Sequence, residues 1–192
     1  MRNFLHTPTS TKTALNALLS VLFAIFLAFF LSGCGGGDYD FSLNSERGKV
    51  GLKDFAGKKI VYFGYTLCPD VCPATLSLLG TELKAIKSEA QLLFISLDPL
   101  RDGDLRATNE WLRYFYPHAT ALIAADEREL AAVAQKFGVI FEKVAMPDSA
   151  MRYSVAHSNE VFLFDEHAEL VGVINDLSQN SLRNALAEFL GK

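Results

Sequence analysis

The sequence has no surplus of positive charge. It carries 18 lysine and arginine residues against 22 aspartate and glutamate residues, which gives a formal net charge of −4. A nucleic-acid-binding protein would show a strongly basic face, so this class of function is disfavoured. No block of like charges indicates a disordered tail, and no repeat or low-complexity segment follows the glycines at 35–37. Half of the 192 residues are hydrophobic, which suffices for the core of one domain.

Cysteine is scarce as well, and the first of the three cysteines, Cys34, ends an apolar leader. The preceding residues have a basic start with Arg2 and Lys12, followed by the almost entirely apolar stretch 14–31. A basic start, an apolar run and small residues before a cleavage point are typical of a secretory signal. The ending "LSGC" at 31–34 resembles a bacterial lipobox, which implies that Cys34 carries a lipid.

We therefore expect three regions in the chain. They are a lipoprotein signal peptide at 1–33, the lipidated Cys34 with a glycine tether at 34–37, and a folded domain at 38–192. An uncleaved membrane helix is the alternative, since 18 apolar residues lie near the lower limit for a membrane span. Either way the domain is exported and attached to a bacterial membrane, and it lies in the periplasm or on the outer face of the cell. The compartment is oxidising, which draws attention to the two remaining cysteines.

The pattern of apolar residues after position 38 predicts a thioredoxin-like α/β sandwich. The run "KIVYFGY" at 59–65 and the run "QLLFISLD" at 91–98 suit central strands that are covered on both faces. Helical spacing follows each of them, and a late hairpin and a last amphipathic helix close the chain. We expect a central mixed sheet with helices on both faces, and a loop at 146–159.

Cys68 and Cys72 follow the first central strand directly, within "TLCPDVCPATL". The carboxyl ends of parallel strands host chemistry in such sheets. Both thiols should also lie at the N-terminus of the next helix, where the dipole favours thiolate. Residues four apart can form a disulfide, but the three-residue gap also leaves room for an ion. Spacing alone does not decide between a structural disulfide, a redox-active pair and a metal-binding site.

A third group for this site comes from the histidines. Of the four histidines, His6 lies in the leader, and His118 and His167 fall at predicted solvated positions. His157 directly precedes the buried strand "EVFLFD" and should face the helix that bears the cysteines. Two thiolates and one imidazole suit copper, especially Cu(I), or zinc. Structural zinc normally has four protein ligands, and the sequence offers no convincing fourth.

Three stretches resemble the Sco/SenC family of copper chaperones, which help to build the dinuclear CuA site of cytochrome c oxidase. They are "YFGYTLCPDVCPATL", "ISLDPLRD" and "YSVAHSNEVFLFD", and the similarity runs from about Phe41 to the C-terminus. The resemblance implies that Cys68, Cys72 and His157 bind one copper ion, as Cu(I) or Cu(II), in a membrane-attached thioredoxin-like protein. Ala156 stands where the family often has aspartate, but it is not an expected ligand.

The resemblance favours a metallochaperone over an enzyme in the turnover sense. Its expected partners are the oxidase subunit that carries the CuA site, a periplasmic copper donor or thiol reductant, and the membrane; no nucleic acid is expected. The alternative is a thiol–disulfide oxidoreductase that reduces a cuproenzyme before metal insertion, with Cys68 and Cys72 as the redox-active pair. No proline occupies positions 158–160, where thioredoxin-like reductases usually carry one, and this disfavours a general reductase.

Two further positions are candidates for the site. Asp98 ends the second central strand, so it should accept a hydrogen bond from a copper ligand or act as a weak fourth ligand for Cu(II). Its alternative role is a cap or an ion-pair partner of Arg101 or Arg106. Met146 and Met151 carry thioether sulfur, a soft copper ligand, but two methionines on a loop more often serve packing.

Overall fold

The structure is a computed structural model, and it describes residues 39–192. The predicted signal peptide, Cys34 and the glycine tether lie outside these residues. The described part contains nine strands: β1 (Leu43–Ser45), β2 (Gly48–Val50), β3 (Lys59–Gly64), β4 (Gln91–Ser96), β5 (Ala119–Leu122), β6 (Phe141–Met146), β7 (Arg152–His157), β8 (Val161–Phe164) and β9 (Leu170–Ile174). Its four α-helices are α1 (Val71–Ala85), α2 (Leu105–Phe115), α3 (Glu127–Phe137) and α4 (Gln179–Leu190).

Five strands form the central sheet in the order β5-β4-β3-β8-β9. Strand β3 runs parallel to β4, and β4 runs parallel to β5, whereas β8 and β9 are antiparallel to their neighbours. All six residues of β3 are buried, as expected of a central strand whose sequence is apolar except for Lys59. The carboxyl ends of β3 and β4 therefore open at one edge of the sheet, next to the start of α1.

Helices cover both faces of this sheet, as predicted. On one face the ring of Phe94 in β4 packs edge-on against Trp111 of α2, with ring centroids 5.9 Å apart. On the other face Phe137, at the end of α3, packs against Phe63 of β3 and Phe162 of β8, at 5.1 and 5.2 Å. These contacts confirm the thioredoxin-like sandwich.

The predicted loop at 146–159 is wrong in part, because it contains strand β7. Strands β6 and β7 form a separate antiparallel hairpin, with Phe141 paired to His157 at its base and Met146 paired to Arg152 near its tip. Only one residue of β7 is buried, so the segment lacks the apolar alternation by which a half-buried strand is recognised. Phe141 in β6 is only half-buried, whereas Phe162 and Phe164 in β8 are buried.

Helix ends follow their local sequence signals. Asp126 caps α3, since its carboxylate accepts a hydrogen bond from the backbone N–H of Glu129 at 2.8 Å. Gly138 ends the same helix with a left-handed φ of 70°. Among the helices of residues 39–192, none combines the length and the apolar character that crossing a membrane requires.

Candidate metal centre

The two thiols lie where strand β3 connects to helix α1. Strand β3 ends at Gly64, a turn at 65–70 carries Cys68, and α1 begins at Val71 with Cys72 in its first turn. Both cysteines are free thiols; Cys72 is fully buried and Cys68 is partly exposed. The Sγ atom of Cys68 accepts a hydrogen bond from the backbone N–H of Cys72 at 3.3 Å. The N-terminal end of the helix thus stabilises one of the two sulfurs directly.

The environments of the two thiols shift their pKa values in opposite directions. Burial opposes ionisation of Cys68, but the backbone N–H groups of Cys72 and Asp70 directed at its sulfur outweigh burial and lower its pKa. Burial raises the pKa of Cys72 to about 12, and the nearby Cys68 sulfur adds to this. The prediction that the helix N-terminus favours thiolate at both positions is therefore confirmed for Cys68 and wrong for Cys72. Full burial inside the first turn of α1 outweighs the dipole at Cys72.

His157 reaches the thiols from the other side, as the last residue of β7. Its Nδ1 atom lies 2.7 Å from the carbonyl oxygen of Ser158. Because a carbonyl can only accept, Nδ1 carries the proton and donates it there. The lone pair of Nε2 then points to Sγ of Cys72, at 3.4 Å. Burial lowers the pKa of His157, so the ring is neutral at pH 7 and presents a free nitrogen lone pair, the form that binds metals.

The spacing of Cys72 and His157 suits a shared metal ion. A thiolate sulfur about 2.3 Å and an imidazole nitrogen about 2.0 Å from one ion, as is typical of zinc, lie about 3.4 Å apart when the angle at the ion is about 105°. The observed Sγ–Nε2 distance is 3.4 Å. No group of three or more His, Cys, Asp or Glu side chains within residues 39–192 is already arranged to hold an ion. The Sγ atom of Cys68, which accepts the N–H of Cys72 at 3.3 Å, lies beside this pair.

The site is enclosed by Tyr62, Gly64 and Tyr65, and sequence analysis missed all three; a β-carbon at Gly64 would lie 3.2 Å from Sγ of Cys72. Tyr65 is buried and its ring meets that of His157 edge-on, with centroids 6.2 Å apart. Burial raises the pKa of Tyr65, and the adjacent Cys68 sulfur raises it further, so its hydroxyl stays protonated. Tyr62 is buried deeper and donates a hydrogen bond to Asn159 Oδ1 at 2.8 Å. Their positions at the end of the apolar run "KIVYFGY" are the only sequence signal that could have indicated them.

Asp98 is fully buried, but it contacts none of the three predicted ligands in the hydrogen bonds and ion pairs of residues 39–192. Its carboxylate accepts a hydrogen bond from the hydroxyl of Tyr153 at 2.9 Å and faces Arg101 Nη1 at 3.4 Å. The alternative role as a partner of Arg101 is thus what the structure shows, and the role of weak fourth ligand stays a prediction. Met146 is exposed at the hairpin tip, and the carbonyl of Met151 accepts a hydrogen bond from Arg101.

Comparison with known proteins places this arrangement in a family. Residues 36–190 match the SCO1/SenC family. An SCO2-like protein of Rickettsia conorii is 31% identical over 136 residues, which are 68% of this chain and 65% of the relative. The chain therefore spans less than two thirds of the length of that relative.

Solved structures agree with this assignment. The structure of Arabidopsis thaliana ScoI with copper bound superposes with a TM-score of 0.72 at 29% identity, and it covers 82% of this chain and 99% of that one. Bradyrhizobium japonicum ScoI with copper bound gives a TM-score of 0.63 at 28% identity, with 79% and 98% covered. With the family match spanning residues 36–190, the chain belongs to the SCO1/SenC family.

Proposed function

We propose that this chain is a membrane-anchored copper metallochaperone. In this proposal Cys68, Cys72 and His157 hold one copper ion, as Cu(I) or Cu(II), and pass it to the CuA site of cytochrome c oxidase. A periplasmic copper donor or thiol reductant supplies the ion or keeps the thiols reduced. The oxidase as recipient rests on the resemblance of the motifs around Cys68, Asp98 and His157 to those of the family.

The observation that carries the proposal is the placement of His157 against Cys72. The Nε2 lone pair lies 3.4 Å from Sγ of a residue that is 85 positions away in the chain. A hydrogen bond from Nδ1 to the Ser158 carbonyl fixes the ring and its tautomer. Metal-binding histidines usually donate their second ring N–H to a carbonyl or carboxylate in this way. A soft set of two sulfurs and one nitrogen favours Cu(I) among the common ions. Copper-bound structures of the Arabidopsis and Bradyrhizobium ScoI proteins, 29% and 28% identical, support the same choice.

The asymmetry of the thiols suggests how the ion is handed over. Cys68 is partly exposed and has a lowered pKa, so an incoming ligand can reach it and copper can bind it without a costly deprotonation. Cys72 is buried and has a raised pKa, so copper binding must release its proton. Exchange of ligands therefore starts at Cys68, while Cys72 and His157 hold the ion until the recipient's ligands replace them.

The same asymmetry favours a second candidate function, thiol–disulfide exchange with a cuproenzyme. A thiol of lowered pKa, such as Cys68, attacks a partner disulfide, and the second thiol resolves the mixed disulfide. Both functions require reduced Cys68 and Cys72, but only copper binding requires His157. Replacing His157 therefore separates them.

The decisive experiment measures copper retained after desalting by the reduced fragment 37–192, which forms a compact unit by itself. We expect one copper per chain in the unchanged fragment, and in Cu(II) samples a sulfur-to-copper charge-transfer band. His157→Ala should lose the copper, whereas His118→Ala, which removes an exposed histidine, should keep it. Copper binding that is indifferent to His157 contradicts the proposal. If in addition His157→Ala reduces a disulfide substrate normally, thiol–disulfide exchange becomes the leading function.

We further propose that Cys34 carries a lipid that ties the domain to the outer face of a bacterial membrane. Support comes from the order of basic start, apolar stretch and "LSGC" in residues 1–34. Mass spectrometry of the N-terminal peptide from membranes should show a lipid on Cys34. The variant Cys34→Ser should lack it. An unmodified N-terminus that begins at residue 1 would contradict cleavage and lipidation.

A further inference from the structure

Three polar side chains lie at or just after the end of β4 and are buried without belonging to the proposed ligand set. Ser96, Asp98 and Asp102 are 0, 0 and 1% exposed. Buried carboxylates are rare unless they are paired, and these two lie four residues apart in one turn. We call Ser96, Asp98 and Asp102, together with the neighbouring Arg101, the β4 bracket.

One arm of the β4 bracket holds the turn that carries Cys68. Asp102 Oδ1 accepts a hydrogen bond from the hydroxyl of Thr66 at 2.5 Å. The backbone N–H of Thr66 also faces this carboxylate, at 3.3 and 3.4 Å. Because Thr66 stands two residues before Cys68, its attachment fixes where the turn leaves β3 and hence where the sulfur lies.

The other arm holds the hairpin that ends in His157. Asp98 Oδ1 accepts a hydrogen bond from the hydroxyl of Tyr153 at 2.9 Å. The guanidinium of Arg101 lies 3.4 Å from the centre of the Tyr153 ring, and it donates to the carbonyl oxygens of Tyr153, at 3.1 Å, and of Met151. Arg101 also pairs with Asp98. Strand β7 is thereby attached to the end of β4 four residues before His157.

A single hydroxyl joins the two arms. Ser96 Oγ donates to Asp102 Oδ2 at 2.6 Å and accepts from the backbone N–H of Asp98 at 3.0 Å. The hydroxyl of Thr108, in α2, donates to the carbonyl oxygen of Asp102 at 3.0 Å and anchors the network to the helix behind it. The network is buried and continuous, so both arms are attached to the same rigid element, the end of central strand β4.

We infer that the β4 bracket is a positioning device that sets Cys68 and His157 relative to each other across the proposed copper site. The inference rests on the proposed function in so far as it concerns copper. The ligands come from two segments that are far apart in the sequence, the β3–α1 turn and the β6–β7 hairpin, and a metal site requires their geometry to hold within about 0.5 Å. Asp102 acts through Thr66 on the sulfur side, and Asp98 with Arg101 acts through Tyr153 on the nitrogen side. Among the hydrogen bonds and ion pairs of residues 39–192, none joins a side chain of the bracket directly to Cys68, Cys72 or His157.

The test uses mild variants that remove one hydroxyl from each arm. Thr66→Val removes the hydroxyl bound by Asp102, and Tyr153→Phe removes the hydroxyl bound by Asp98 but keeps the ring under Arg101. Thr66→Ser keeps a hydroxyl and serves as the rescue variant. Glu82→Gln is the matched control, since Glu82 is also a buried carboxylate held by an arginine, Arg183, but it joins α1 to α4.

The copper-loaded full chain in detergent gives the first readout. Loss of a partner that orients a metal ligand typically lowers metal affinity about 10- to 100-fold, and we expect this loss in both variants. Thr66→Val should change the sulfur-to-copper charge-transfer bands, whereas Tyr153→Phe should change the nitrogen hyperfine coupling of His157 in the Cu(II) electron paramagnetic resonance spectrum. Thr66→Ser and Glu82→Gln should leave affinity and both signatures as in the unchanged protein. Unchanged affinity in both variants, or the same spectral change in both, overturns the inference.

Amide hydrogen exchange in the copper-free, reduced chain gives the second readout and does not depend on copper. Losing one hydrogen bond changes local opening about fivefold. Thr66→Val should speed exchange in the turn 65–70 alone, and Tyr153→Phe in β6 and β7 alone. If the unchanged chain binds no copper, the proposed function fails but this prediction still stands. Exchange that stays unchanged in both segments, or rises equally everywhere, overturns the inference.

Discussion

Gly64 closes β3 beside the candidate metal centre and leaves no room for a larger side chain. A β-carbon at this position would lie 2.9 Å from Cε2 of Phe94 and 3.2 Å from both Cys72 Sγ and Tyr62 Cε1. Those three neighbours are fully buried, so none of them can withdraw into solvent. Overpacking a filled core costs about 1–3 kcal/mol. We therefore expect Gly64→Ala to lower the free energy of unfolding by this amount and to displace the Cys72 sulfur from His157.

Gly172 in β9 supplies the matched control. A β-carbon there would have its nearest contact at 3.4 Å, with Cδ1 of Leu163, which is an ordinary packing distance. Alanine in place of glycine inside a strand then adds about 0.5–1 kcal/mol of stability. At about 2–4 °C per kcal/mol for a domain of this size, the two variants should differ in Tm by about 3–16 °C. Calorimetry and urea titration measure the difference, and a Gly64→Ala variant as stable as Gly172→Ala would refute this reasoning.

Three further predictions concern individual groups. Iodoacetamide at neutral pH should alkylate Cys68 much faster than Cys72, because hydrogen bonds lower the pKa of Cys68 while burial raises that of Cys72 to about 12. Peptide mapping that finds Cys72 modified first would contradict this prediction. Burial lowers the pKa of His157 below its ordinary 6.5, so below pH 6.5 the unfolded chain binds more protons than the folded one, and the copper-free protein should lose stability as the pH falls. Urea titrations of His157→Gln should show a smaller loss of stability, and an equal loss would exclude His157 as its source. Lys59 is 1% exposed, and its Nζ donates to the carbonyls of Asp165 and Glu166 at 3.0 and 2.9 Å. Lys59→Met should therefore cost about 1–3 kcal/mol of unfolding free energy, because it leaves both carbonyls unpaired; an unchanged urea midpoint would show that water replaces the amine.

The sequence predicted the sandwich because its central strands are marked by nearly continuous apolar runs. The stretch 59–65 became β3 and the stretch 91–98 became β4, each within two residues of its expected end. The same criterion failed at β7, whose residues are mostly half-exposed or exposed. That strand is held by its pairing with β6 and by Arg101, and neither a pairing partner nor a long-range guanidinium contact leaves a periodic trace in the sequence.

The candidate site was predictable in its residue types and not in its electrostatics. Position between the end of β3 and the start of α1 predicted where Cys68 and Cys72 lie, and position before β8 predicted that His157 faces them; the structure places His157 Nε2 3.4 Å from Sγ of Cys72. The difference in acidity between the two thiols depends on burial of Cys72 by the surrounding core, which only packing decides. Likewise, Asp98 was placed correctly at the rim of the sheet, but its partner Tyr153 depends on where the hairpin folds back.

The contact between Cys72 and His157 joins points that are 85 residues apart in the chain. An ion bound to both would act as a removable cross-link that closes this long loop and ties the hairpin to the first helix. Because such an ion binds the folded chain and not the unfolded one, its loss lowers the stability of the fold by an amount that grows with its affinity. The empty protein would therefore open more often at the hairpin than the loaded one. Proteases that cleave transiently opened chains would thereby distinguish carriers that hold their cargo from carriers that have delivered it.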